Sequence, residues 1–222
     1  YKTYLIPKRN HGFRLIAQPT KQVKECQKSF ISLYDFSIHA SAHAYVKGLS
    51  IKDNAIAHKN HAFLLKLDLE NFFNSITPDI FWNIWEETNA VLPSKDEQIW
   101  IEKLLFWELN GRLVLSVGAP SSPTISNFCM FIFDHIVQIK CEGSDIKYTR
   151  YADDLTFSTN RKDALFQIPK DIEQILYKCF QGKLKINKGK TVFSSKAHNR
   201  HVTGITLTNQ GTISLGRSKK RY

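Results

Sequence analysis

The sequence is poor in methionine, in paired cysteine and in long apolar runs. Met130 is its only methionine and the chain begins at Tyr1, so it reads as a trimmed piece of something longer. Its longest apolar stretches are a handful of residues, around Asn127 to Phe133, far short of the ~20 that cross a bilayer. No charged-then-apolar start resembles a signal peptide. A soluble, cytoplasmic protein without a membrane partner is expected. Cys26, Cys129, Cys141 and Cys179 stand singly with no Cys-x-x-Cys pair, which excludes a disulfide framework and leaves reduced, mostly buried thiols. His58 and His61 lack a second pair of Cys or His at ligand spacing, so a structural reading outweighs zinc. The glycines form no phosphate loop of the Walker or dinucleotide type, and no Ser-His-Asp or Cys-His order has a sensible context. Repeats and a Gly/Pro-rich linker are absent as well.

What remains is a chain of 222 residues, 42% apolar and 12% aromatic, enough for one domain or one and a half. Its net charge of +11 is unevenly placed: residues 1–30 hold seven bases against one acid, and 181–222 hold ten bases and no acid. The middle carries an excess of acids. A basic rim around an acidic centre fits a polyanion held at its backbone while divalent cations sit among carboxylates, with a merely solvated basic surface as the equal alternative.

Residues 1–30 read as short strands around a turn at Asn10-His11-Gly12, followed by a basic helix from Lys21 to about Tyr34. Alternation from Ala62 to Asp68, with Phe63, Leu65 and Leu67 on one face, predicts a strand with an acid at its end. Thr77-Pro78 starts an amphipathic helix, and Ser122-Pro123 starts a long one buried through Ile125, Phe128, Cys129, Ile132, Ile136 and Ile139. From Ile146 to Ser158, β-branched and aromatic residues flank Ala152-Asp153-Asp154, which predicts a hairpin with acids at its tip. Ile168 to Phe180 is a further helix, and the tail from Thr191 returns to strands around Gly204 and Gly211. The class is α+β with a mostly antiparallel sheet.

Asp68, Asp153 and Asp154 each sit at a strand end among apolar neighbours, where charge is costly unless a cation compensates it. Brought together they form an oxygen-only set that suits Mg²⁺. Two such ions about 4 Å apart can activate a hydroxyl, hold a triphosphate and stabilise the leaving pyrophosphate, which is nucleotidyl transfer. The plainer alternative is an acidic turn at Asp153-Asp154 and a helix-start cap at Asp68.

Tyr151-Ala152-Asp153-Asp154 resembles the Tyr-x-Asp-Asp box of reverse transcriptases, and Leu67-Asp68-Leu69-Glu70-Asn71-Phe72-Phe73 resembles their first carboxylate motif. Between them, Gly118 to Asn127 is similar to the nucleotide-side loop and helix start of bacterial members. Asn54-Ala55-Ile56-Ala57-His58 and Val202-Thr203-Gly204 resemble two elements that mark retron reverse transcriptases. The resemblance covers nearly the whole chain. It implies a right-hand polymerase fold with fingers over 1–61, a palm over 62–200 carrying a helical insertion around 78–110, and 201–222 leading to an absent thumb. It implies an RNA-directed DNA polymerase that copies its cognate structured non-coding RNA into a branched RNA–DNA hybrid, starting from a ribose 2′-hydroxyl. Two Mg²⁺ ions, dNTP substrates and an effector protein in antiphage defence come with it.

On that resemblance, Asp68, Asp153 and Asp154 are the catalytic acids, and the backbone of Leu69 helps hold metal. Phe73, five residues after the first acid, lies under the incoming sugar and excludes a 2′-hydroxyl. Arg14 clamps the triphosphate, a task suited to a guanidinium, with Lys8 a weaker candidate for the same anion. Gly118 belongs to the nucleotide side, and Lys190 lies near the leaving phosphate. Tyr151, Asn54, His58, Val202, Thr203 and Gly204 fall on the template, primer or RNA side. The sequence departs from the pattern at Val117, where most relatives carry a Gln whose amide approaches the nucleotide. A group II intron or abortive-infection type of reverse transcriptase, or an RNA-binding scaffold of the same fold, are the alternatives.

Overall fold

A computed structural model describes residues 1–7, 12–88 and 91–215. Lys8 and most of the expected Asn10-His11-Gly12 turn lie outside the described residues. In chain order the elements run β1 (Lys2–Pro7), β2 (Phe13–Gln18), α1 (Lys21–Leu33), α2 (Ile51–His58), β3 (Phe63–Asp68), α3 (Phe72–Ser75), α4 (Pro78–Thr88) and α5 (Lys95–Leu105). They continue with β4 (Phe106–Leu109), β5 (Arg112–Leu115), α6 (Ser122–Cys129), α7 (Phe131–Glu142), β6 (Lys147–Tyr151), β7 (Asp154–Thr159) and α8 (Ile168–Phe180). A 3-10 turn (Lys188–Lys190) precedes β8 (Val192–Ser195), β9 (Arg200–Val202), β10 (Ile205–Leu207) and β11 (Ile213–Ser214). This is the α+β class the sequence predicts.

The chain divides into two units, one of Tyr1–Ile38 with Asn71–Phe131, the other of His39–Glu70 with the chain from Ile132 onward. In the first, β1 and β2 form an antiparallel ribbon and α1 starts at Thr20, whose hydroxyl accepts the Val23 amide at 3.4 Å. The aromatic residues supply much of its core: Phe36, Phe81, Trp85 and Phe128 lie ring against ring, with Phe36 and Phe128 at 5.2 Å between centroids.

The second unit is built on a four-stranded sheet in the order β6-β7-β3-β8, with β3 antiparallel to both its neighbours. Only part of the alternation expected in β3 appears. Leu65 and Leu67 are buried as predicted, but so is Leu64, which packs with Ala55 of α2 and with Val202, Ile205 and Leu207. Both faces of the strand are therefore covered. Those last residues belong to the β9–β10 hairpin, whose turn residues Thr203 and Gly204 have φ of 47° and 79°, the pair of positive values a type I′ turn requires.

The one long helix expected from Ser122 is instead two. Met130 interrupts it at φ −91°, ψ 0°, its amide shared between the carbonyls of Ser126 and Asn127 at 3.2 Å each. This break shifts the phase of the buried face. Phe133, Asp134, Val137 and Cys141 point inward on α7, whereas Ile136 and Ile139, expected inside, are 39% and 58% exposed.

Candidate active site

Asp68 closes β3 and Asp154 opens β7, and the register sets them directly opposite one another. The β6–β7 connection is a two-residue turn, Ala152-Asp153, between the paired residues Tyr151 and Asp154. Ala152 carries the positive φ, 56°, at the first turn position only, as a type II′ turn needs. The amide of Leu69 donates to the Asp153 carbonyl at 2.9 Å, which ties the hairpin tip to the residue after Asp68. The three acids thus meet on adjoining strand ends.

A second backbone stitch brings in a base. Asn187 donates its amide to the Asp68 carbonyl at 2.7 Å and Glu70 donates to that of Lys185 at 2.9 Å. From the turn that follows, the Lys190 ammonium reaches both Asp68 carboxylate oxygens at 2.9 Å. Asp68's side chain is only 13% exposed and that of Lys190 is 61% exposed, so the contact is open to competition from solvent and other cations.

Asp154 is pushed up to about 6 by the protein packed around its carboxyl and then by the charges of Asp153 and Asp68, with Lys66 and Lys190 opposing, although the residue keeps solvent exposure. Among the described residues no three acidic, His or Cys side chains already converge on one point. The Lys190 ammonium sits on Asp68 in a cation's place. All-oxygen donors, mutual repulsion that protonation relieves and an ammonium stand-in fit a hard divalent cation. Asp68, Asp153, Asp154 and the Leu69 carbonyl are the groups that would hold it.

The remaining nucleotide-side residues belong to the first unit. Arg14 is exposed on β2. Gly118 has φ 121°, and a Cβ there would meet Ile16 Cγ2 at 3.0 Å, so glycine is needed for close backbone approach. Val117 next to it accepts the Ala17 amide at 3.1 Å through its carbonyl, a bond any residue could make. Phe72 is buried while Phe73 is partly exposed, their rings 5.3 Å apart, which leaves Phe73 the one with surface to offer a sugar.

Asn54 and His58, expected on the RNA side, are fully buried, so neither side chain touches a ligand in this conformation. They belong to a chain of hydrogen bonds that sequence reading missed. Thr149 of β6 donates its hydroxyl to Asn54 Oδ1 at 2.6 Å, so His58 Nε2 donates to Thr149 Oγ1 at 2.7 Å. His58 Nδ1 then accepts from the Ser158 hydroxyl of β7 at 2.6 Å, and His61 Nδ1 donates to that same oxygen at 2.7 Å. Both ring nitrogens of His58 are thus engaged by hydroxyls. Burial, ahead of the charges of His61, Lys147 and His43, lowers His58 to about 3 and keeps it neutral. Thr203 donates to the Ile51 carbonyl at 3.3 Å, so the Val202-Thr203-Gly204 turn is joined to the helix that carries Asn54 and His58. No spacing in the sequence signals Thr149 or Ser158. Neither hydroxyl stands out in strands that also carry Lys147, Arg150 and Thr156.

The profile of the family described as reverse transcriptase (RNA-dependent DNA polymerase) matches residues 6–207. The chain is 47% identical over its whole length to the retron Ec83 reverse transcriptase of Escherichia coli, of which it covers 73%. It is 31% identical over 99% of its length to the retron Mx65 reverse transcriptase of Myxococcus xanthus, spanning about half of that protein, 53%. Among solved structures, telomerase from Candida albicans in complex with a fragment of telomeric RNA matches 96% of this chain, with 46% of its own length covered. That match has a TM-score of 0.62 at 13% identity and speaks to the fold alone.

Two outcomes follow from the titrations and the ion pair. The unfolded chain takes up a His58 proton near pH 6.5, whereas the folded one refuses it until about 3; stability is therefore full above 6.5 and falls as pH drops through that window, by about 1.4 kcal/mol per pH unit. His39, His43 and His61 are lowered too and add to the slope. His58→Gln should remove about one proton's worth of the slope between pH 5 and 6 in urea titrations; an unchanged slope refutes the assignment. Replacing Lys190 by Gln should tighten Mn²⁺ binding by the apoprotein up to about fivefold, read by electron paramagnetic resonance, since an exposed pair holds at most about 1 kcal/mol. Weaker binding in that variant would show that Lys190 does not compete for the site.

Proposed function

The chain belongs to the reverse transcriptase family and, within it, to the retron reverse transcriptases, and from that premise we propose that it polymerises DNA on an RNA template at the Asp68, Asp153 and Asp154 cluster. The observation that carries the reading is the pairing of Asp68 with Asp154 across β3 and β7, with Asp153 tied beside them through Leu69. Divalent cations, two Mg²⁺ ions in this reading, would lower the pKa of the attacking hydroxyl and neutralise the leaving pyrophosphate.

The chain's own residues supply the rest. Arg14, with Lys8, holds the triphosphate as a charged fork and a point charge. Phe73 excludes a ribose 2′-hydroxyl by bulk. Lys190, released from Asp68, carries positive charge to the leaving phosphate and can give it a proton. Gly118 lets the backbone approach the nucleotide, and Val117 leaves that approach without a side-chain amide. Tyr151 and the Val202-Thr203-Gly204 turn serve the primer and template, while Asn54 and His58 act from the interior. The basic ends grip phosphates of an A-form hybrid, which is read by shape.

The retron relatives and the two retron-like elements support the finer reading. The template is a cognate structured non-coding RNA, the product a branched RNA–DNA hybrid begun at a ribose 2′-hydroxyl, and the setting a cytoplasmic antiphage system with an effector protein.

In the full-length enzyme, Asp153→Asn should abolish cation-dependent dNTP incorporation, by three orders of magnitude or more, while RNA affinity by filter binding stays within twofold, estimates on the order of metal-site losses. Persistent incorporation would remove the site. Phe73→Val should raise ribonucleotide incorporation at least about tenfold relative to deoxynucleotides in primer extension, the scale of one misplaced steric contact. Unaltered sugar discrimination would place the gate elsewhere.

A further inference from the structure

Strand β6, which leads into the catalytic turn, is an unusual place for polar residues. Tyr148, Thr149 and Arg150 are 1%, 1% and 0% exposed in succession. Thr149 is accounted for by α2. The other two side chains, two residues apart and so on the same face of the strand, both reach Asp134 of α7, itself fully buried. Tyr148 donates its hydroxyl to Asp134 Oδ1 at 2.7 Å. Arg150 donates from Nε to Oδ1 at 2.9 Å and from Nη2 to Oδ2 at 2.7 Å, a bidentate fork.

That fork leaves the Nη1 end of the guanidinium unoccupied by Asp134. It donates to the carbonyl of Ala152 at 3.2 Å. Ala152 is the residue with a positive φ, a conformation unfavourable for a non-glycine, and the next residue is Asp153. The backbone of Arg150 is fixed on its own account: its amide donates to Ser41 at 2.7 Å and its carbonyl accepts from His43 at 2.8 Å. A residue bonded through both main chain and side chain thus holds the turn from behind.

We propose that Arg150 is a positioning residue for Asp153, acting through the Ala152 carbonyl and kept in place by Asp134. A buried ion pair is a weak source of stability, often matched by apolar residues of the same volume. An apolar pair cannot donate to a carbonyl, so the bond to Ala152 is the part of this arrangement that only a guanidinium supplies. Lysine keeps the charge but has no fork to bridge a carboxylate and a carbonyl in one plane. The role rests on the reading of Asp153 as a catalytic acid, and its structural half is independent of that reading.

Two variants of the full-length enzyme test it: Arg150→Lys, and Arg150→Met combined with Asp134→Leu, which refills the space without charge. Each is measured for cooperative melting, RNA affinity, kcat and KM for dNTP, the Mg²⁺ concentration giving half-maximal rate, and hydrogen exchange of the Leu69 amide, which bonds to Asp153. In a folded variant, kcat should fall about a hundredfold, the scale of an ångström of misplacement, with KM and RNA affinity within about twofold. The Mg²⁺ midpoint should rise and Leu69 exchange should quicken. A folded variant with wild-type kcat and wild-type Leu69 exchange overturns the proposal. So does the failure of both variants to fold, which would make the pair purely structural. Faster Leu69 exchange in a protein whose wild type incorporates no dNTP would sustain the positioning and sink the polymerase assignment instead.

Discussion

Like charges have to be held close together against their repulsion, and the antiparallel register of β3 with β7 is what does it. Asp68 and Asp154 face each other because six consecutive pairs, from Phe63 opposite Thr159 onward, leave them no other position. Leu64, Leu65 and Leu67 lock that register, since a slip by one residue would turn Lys66 and Asp68 to the other side of the sheet. Asp153 joins through a turn too short to place it elsewhere. The pKa of Asp154 is raised first by the protein packed around its carboxyl and then by Asp153 and Asp68, and Lys190 opposes that shift.

Behind the acids, the two faces of β6 are secured by opposite means. On one side a neutral chain of hydroxyls, an amide and imidazoles runs from α2 through Thr149 to Ser158. On the other an ion pair joins Arg150 to α7. Both solve the same problem, since the strand is buried and polar at once and every such group needs a partner. The retron-like elements at Asn54 to His58 and Val202 to Gly204 are joined instead by the Thr203 bond to Ile51 and by a shared core of Ala55, Val202 and Ile205.

Much of this was legible from residues alone because it rests on local signals. The hairpin is announced by two runs of β-branched and aromatic residues around two acids, and α1, α4 and α8 by caps, prolines and periodicity. Long-range pairing carried no such mark. Nothing adjacent to Thr149 or Ser158 foretells that His58 lies between them, and Asn54 and His58 looked like surface contacts because motif matching is blind to burial. Asp134 offered one clue, an acid inside an apolar helix, and Arg150 another, a base in a β-branched strand. Only their meeting explains either. The phase of α7 was misjudged for a different reason: a break at Met130 resets the face, and no glycine or proline announces it.

The order in which the strands are encoded has a consequence for biosynthesis. Among the described residues the strands paired with β3 are β7 and β8, and both lie beyond residue 150, so its apolar stretch leaves the ribosome long before either partner exists. The other unit, complete by Phe131, has all its residues available much earlier. Nascent chains therefore carry an unpaired, leucine-rich strand until β7 has been made, a template for misassociation in that interval. Chains truncated before β7 lack Asp154 and its pairing with Asp68, and so have no means of trapping the cation.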